Sequence, residues 1–182
     1  MSDCCGDSSK TKVRKDGSGK TGRVVIVILG GLTLLILGLG AFLISKTGSP
    51  TLGLSDNAQA DVESGDYDWG DIGIGDGVVE HEFVIENKGT SPLKLTNVRT
   101  SCSCTTAQIT IKGTSSPYFG MHTTSSWIGE VNPDEGATLS VVFDPAYHGP
   151  DALGPIERLV AVETNDSTQP VLEFKLTGNV VE

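Results

Sequence analysis

The chain has 182 residues, with 13 basic and 23 acidic side chains and a formal charge of −10. From Thr47 onward, six basic residues stand against twenty acidic ones, a formal −14, which argues against nucleic acid as a partner because a polyanion needs a cationic surface. A soluble surface that repels its neighbours explains this acidity better than a dedicated cation site, and once a leading segment is set aside the length suits one domain with a single core.

Residues 1–23 open as "MSDCCGDSSKTKVRKDGSGKTG", rich in Ser, Gly and Lys and without a hydrophobic period, and they read as a disordered tail. Residues 24–44, "VVIVILGGLTLLILGLGAFLI", carry no charge. At 1.5 Å rise per residue this segment comes to roughly 31 Å as a helix, about the thickness of a bilayer's hydrocarbon core. It lacks the polar face of a buried core helix, and the nearest small-residue cleavage pattern, Ala58-Gln59-Ala60, lies too far downstream for a cleaved signal. An uncleaved transmembrane signal anchor is therefore expected, with a cleaved export signal as the alternative. Gly30, Gly31, Gly38 and Gly40 suit close helix approach but are also ordinary in membrane helices.

Before this segment, Lys10, Lys12, Arg14, Lys15, Lys20 and Arg23 outweigh Asp3, Asp7 and Asp16, whereas only Lys46 follows it before a long acidic stretch. The positive-inside rule then puts the N-terminus in the cytoplasm and the main domain outside. Cys4 and Cys5 fall on the reducing side, too far from the helix to read as lipidation sites. Residues 45–66 read as a polar linker.

From residue 67 the pattern has period two. Val79, His81, Phe83 and Ile85 share one face; Leu93 and Leu95 alternate next. Leu139, Val141 and Phe143 follow, then Ile156, Val160 and Val162, then Leu172, Phe174 and Leu176. With "YDWGDIGIG" and "CTTAQITIK" the count reaches about seven strands, separated by turn signals such as "ENKGTSP", and no helical period appears among them. This is an all-β pattern, and it predicts an immunoglobulin-like seven-stranded β-sandwich over residues 67–182, with a small barrel as the alternative. Residues 113–126, "GTSSPYFGMHTTSS", form a long connection holding Tyr118, Phe119, Met121 and His122, and loops of that length are usually functional or mobile.

The run "YDWGDIGIGDGVVEHEFVIENKGTSPLKLTNVRTSCSCTT" carries an aromatic-Gly start, a V-x-H-x-F-x-x-x-N-x-G strand and turn, and a C-x-C-T run. Together with "NPDEGATLSVVFDP" and "VETND" it resembles the bacterial domain-of-unknown-function family 1573, from about residue 67 to residue 181. That family is similar to the abnormal-spindle, major-sperm-protein and hydin group of immunoglobulin-like domains. The resemblance implies a seven-stranded sandwich, a binding or scaffolding role and no established reaction. Pro133-Asp134-Glu135-Gly136 departs from the family's Pro-Gly-Glu turn, and the 113–126 connection is longer than usual.

Three readings of Cys102 and Cys104 stay open. As inert structural thiols, they are small apolar side chains at a strand end. As a metal site, two sulfurs on one strand face chelate a soft ion, Cu(I) above all, with Met121 and His122 completing the set if the long loop folds back. As a redox pair, they form a local disulfide, which needs a turn because an extended strand spaces i and i+2 roughly 6.5 Å apart. The inert reading ranks ahead of the other two.

His81, among Val79, Phe83 and Ile85, reads as a hydrogen-bonded histidine in or beside the core, and Trp69 and Trp127 as core. Asp144-Pro145 and Asn165-Asp166 read as turn formers, and the glycosylation sequon at Asn165-Asp166-Ser167 means little if the chain is bacterial, as the family resemblance implies. No nucleophile elbow, phosphate loop or His-Glu-x-x-His motif occurs in the sequence. The expectation is a non-enzymatic, single-pass protein of the bacterial cytoplasmic membrane whose exported domain binds a protein partner, with a Cu(I)-binding or thiol-redox protein as the alternative.

Overall fold

The structure, a computed structural model, describes residues 28–32 and 52–182. Residues 28–32 are helical; the rest of the span expected at 24–44, and the tail with Cys4 and Cys5, lie outside the described residues. Among the described residues no helix is long and apolar enough to cross a membrane.

Residues 49–182 form a compact unit of their own, and its described part is all-β. The strands are β1 (Ala60–Asp61), β2 (Asp66–Gly73), β3 (Val79–Asn87), β4 (Leu93–Thr100), β5 (Thr105–Ile111), β6 (Thr114–Ser115), β7 (Ile128–Val131), β8 (Gly136–Phe143), β9 (Gly154–Thr164) and β10 (Val171–Val181). They make two five-stranded sheets, ordered β1-β3-β8-β5-β6 and β2-β10-β9-β4-β7. All pairings are antiparallel except β10 with β2.

The period-two faces meet between the sheets. Phe83, Ile85, Ile109, Leu139 and Val141 face Leu93, Leu95, Val160, Val162, Phe174 and Leu176, all of them buried in one cluster. Fully burying a side chain of this size contributes roughly 1.5 to 3 kcal/mol, so the alternation suffices to specify which face turns inward. Val79 and His81, at the start of β3, are only half-buried.

The seven expected strands are all present; β1, β6 and β7 are additional. β1 corrects the extent of the linker. Residues expected to be a spacer are already in the sandwich at Ser55, which bridges to Asp166, and Ala58 and Ala60 are core residues. The polar composition concealed this because the clamp is made by backbone and by two small alanines. Gly89 permits the approach: a Cβ there would run into the carbonyl oxygen of Asn57.

The long 113–126 connection is partly ordered by β6, which pairs Ser115 with Thr110, and by Phe119, which is buried and exchanges two backbone hydrogen bonds with Ala107. In β4 a bulge between Thr96 and Arg99 changes the phase of alternation. Leu93 and Leu95 face inward before it, Val98 and Thr100 after it. Asn97 takes φ 47° there, a conformation Asn tolerates better than most residues.

Candidate functional site

β4 and β5 belong to opposite sheets, so residues 101–104 are the crossover between them at one end of the sandwich. Because the bulge turns Thr100 inward, its hydroxyl sits 2.9 Å from the Cys102 carbonyl and 3.0 Å from that of Thr105, and it donates into the turn. Ser101 is tied to β9 by its backbone N–H, 2.9 Å from the Leu159 carbonyl, and by its Oγ, which accepts from Leu159 N–H at 2.9 Å. On the other side Asp144 N–H donates to the Cys104 carbonyl at 3.0 Å. The cysteines therefore stand in a turn pinned to both sheets, not on a strand.

This turn brings the two Cα atoms to 5.3 Å and the sulfurs form a disulfide. A spacing of that size lies in the ordinary range for a bridge. The reading as two inert thiols gives way to a bonded pair, because backbone curvature removes the extended-strand spacing that disfavoured it. Cys102 is half-buried and Cys104 buried, beside Ile72, Phe143 and Val180.

Two residues overlooked in the sequence complete the site. His148 places Nε2 3.3 Å from Cys102 Sγ, and Arg158 Nε donates to Cys104 Sγ at 3.1 Å. His148 is held by the turn after β8, where Asp144 Oδ1 accepts from Ala146 N–H at 2.9 Å and Gly149 takes φ 93°. Asp144-Pro145 is thus a turn former, as read, and its turn delivers an imidazole. Arg158 stands on the same face of β9 as Ile156 and Val160, its guanidinium 5.1 Å above the Phe143 ring, and burial pushes its pKa below the ordinary value. A charged residue in phase with an apolar face was the signal available for it; "DPAYHGP" offered none for His148.

Met121 and His122 do not join the sulfurs in the same way. Met121 Sδ lies 3.8 Å from Ser103 Oγ, so the long loop does approach the crossover. His122 lines a neighbouring cleft of about 580 Å³ with Met121, Phe119, Asn97, Arg99 and Glu163. Among the described residues, the imidazole grouped with the cysteine sulfurs is that of His148, carried by the turn after β8, and not the expected His122.

Other signature residues carry the fold. His81 stacks on Tyr67 with ring centroids 3.4 Å apart and meets Phe83 edge-on, and burial lowers its pKa below 6.5 despite Glu82. Asn87 Nδ2 donates to the carbonyls of Ser91 and Val131, each at 2.9 Å. Asn165 Oδ1 accepts from Lys94 N–H at 2.7 Å. Asp166 accepts from the backbone N–H groups of Ala60 and Thr168 at 2.9 and 2.7 Å and from the Thr168 hydroxyl at 2.7 Å. Trp69 and Trp127 are half-buried against the core, and the Trp69 indole N–H is buried without a partner.

Residues 60–116 match the DUF1573 family, a protein of unknown function. The DUF1573 match runs from β1 through β6 and includes the cysteine crossover, and it ends before Met121, His122, His148 and Arg158. No curated protein matches the chain. Among solved structures, a protein of unknown function from Porphyromonas gingivalis W83 is similar with TM-score 0.52 and 21% identity over 71% of this chain. The chain spans 50% of that protein's length. The ASH/PapD-like domain 7 of human CEP192 is similar over 74% of this chain and 94% of its own, with TM-score 0.45 and 16% identity. The likeness to the Porphyromonas protein supports the two-sheet fold; at these identities it extends no further.

Proposed function

We propose that the chain is a membrane-tethered, extracytoplasmic immunoglobulin-like module that binds a protein partner without catalysis. The observation that carries the binding role is the open cleft walled by Phe119, by residues 121–125 and by Asn97, Arg99 and Glu163. It offers an apolar floor in Phe119, a thioether in Met121, and an ion pair, Arg99 to Glu163 at 3.6 Å, ready to exchange partners. An exposed Met121 and walls of Thr123, Thr124 and Ser125 suit an extended polypeptide with one apolar anchor. The uncharged 24–44 segment and the basic residues before it support the tether and its orientation.

Photo-crosslinking in cells from a benzophenone amino acid at Thr124 tests this. A discrete protein adduct that disappears on Arg99→Glu is expected, while absence of any adduct from Thr124 and from Ser125 would count against the cleft as the binding site.

A second reading, a Cu(I)-binding or thiol-redox protein, is favoured by the disulfide and by the imidazole and guanidinium beside it.

A further inference from the structure

We propose that Cys102 and Cys104, when reduced, join His148 in a three-coordinate Cu(I) site whose excess negative charge is balanced by Arg158. The proposal rests on the second reading above and is independent of the cleft; it specifies the third ligand, the ion and the counter-charge.

Geometry supplies the ligand set. The two sulfurs and an imidazole nitrogen lie within 4.8 Å of one another. Metal–ligand bonds of about 2.0 to 2.3 Å separate three ligands around one ion by about 3.5 to 4 Å. Once the S–S bond is gone the sulfurs must move apart to that spacing, while His148 Nε2, 3.3 Å from Cys102 Sγ, needs only a small adjustment to share the ion. His148 is free to do so, being exposed on the turn between β8 and β9, while Cys104 is fixed in the apolar cluster.

Charge selects the ion. Two thiolates and a neutral imidazole around Cu(I) carry a net charge of −1, and the Arg158 guanidinium 3.1 Å from Cys104 Sγ cancels it in a partly buried site. Around a divalent ion the same ligands are already neutral, and the guanidinium leaves an uncompensated positive charge. Zinc also asks for a fourth ligand, whereas soft thiolates favour Cu(I) at low coordination number.

The disulfide is the closed form of this site. An external dithiol opens it by exchange: both protein sulfurs gain hydrogen and the dithiol closes to its own disulfide. Cu(I) then replaces the two thiol protons, which leave to solvent.

The test uses the full-length chain carrying Cys4→Ser and Cys5→Ser, which leaves Cys102 and Cys104 as its only cysteines, under anaerobic conditions, reduced with a dithiol that is then removed, and titrated with Cu(I) buffered by bicinchoninate. X-ray absorption at the copper edge reads the ligand set. One copper per chain is expected, with two sulfurs and one nitrogen around it, and no uptake by the oxidised chain. His148→Ala, with its folding checked by circular dichroism, should lose the nitrogen and bind more than about tenfold more weakly; Arg158→Gln should keep all three ligands and bind about tenfold more weakly. If this reduced parent chain retains no copper against the chelator, the Cu(I) reading itself fails. Copper held by sulfur alone, with His148→Ala unchanged, overturns the ligand set and spares that reading. Unaltered or tighter binding by Arg158→Gln overturns the charge balance.

Discussion

At the residue scale Asp166 is a structural carboxylate. Asp166 is 1% exposed, yet it remains a carboxylate. Burial raises its pKa, but hydrogen bonds from Ala60 N–H, Thr168 and Gln169 N–H outweigh this and hold it below 3.8. Those bonds clip the first strand of the domain to the β9–β10 turn. Asp166→Ala strands several buried donors, so urea unfolding should show a loss of about 3 kcal/mol. Because the folded-state pKa is depressed, the wild-type contribution is complete above the unfolded value and fades as pH falls through the folded one. The difference between wild type and variant should therefore persist at neutral pH and shrink only in strong acid, as the pH falls from the unfolded carboxyl's range through the depressed folded value. A gap that closed nearer neutrality would point to another group.

Elements decide how the site is assembled. The bulge in β4 changes which face carries the side chains, turns Thr100 inward and lets its hydroxyl hold the cysteine turn. The long loop is organised by one aromatic: Phe119 packs with a ring-centroid distance of 5.6 Å to Trp127 and lines the cleft. Phe119→Ala should cost about 3 to 4 kcal/mol by cavity formation and should free the Met121 end of the loop. Amide hydrogen exchange at Phe119 and Ala107, now mutually bonded at 2.9 and 2.8 Å, is the check, and unchanged protection there would refute the role given to this ring.

For the molecule as a whole, the sandwich and the leading segment make separate claims. Strand alternation and turn chemistry were enough to read a sandwich with the main cluster between its sheets, since a one-residue slip would expose every buried side chain at once; a smaller cluster around Ile72, Cys104, Phe143 and Val180 lies apart from it. The uncharged 24–44 segment predicts that the full chain stays in the pellet when membranes are washed with alkaline carbonate. Removal of residues 1–48 should release the remainder to the supernatant, and a full chain extracted by carbonate would end the tether proposal.

Sequence alone therefore determined what local chemistry controls: the all-β class, the seven principal strands, the turn role of Asp144-Pro145 and Asn165-Asp166, and the family resemblance now matched over 60–116. Tertiary structure alone decided that Cys102 and Cys104 lie in a crossover turn, that they are bonded, and that His148 and Arg158 rather than His122 flank them. These neighbours are 46 and 54 residues away in the chain. Their approach is set by which sheet each strand joins and by the register of its pairing, and a period-two pattern contains neither. Polarity also concealed the clamp at Ala58 and Ala60, because small side chains and backbone hydrogen bonds leave little trace in composition.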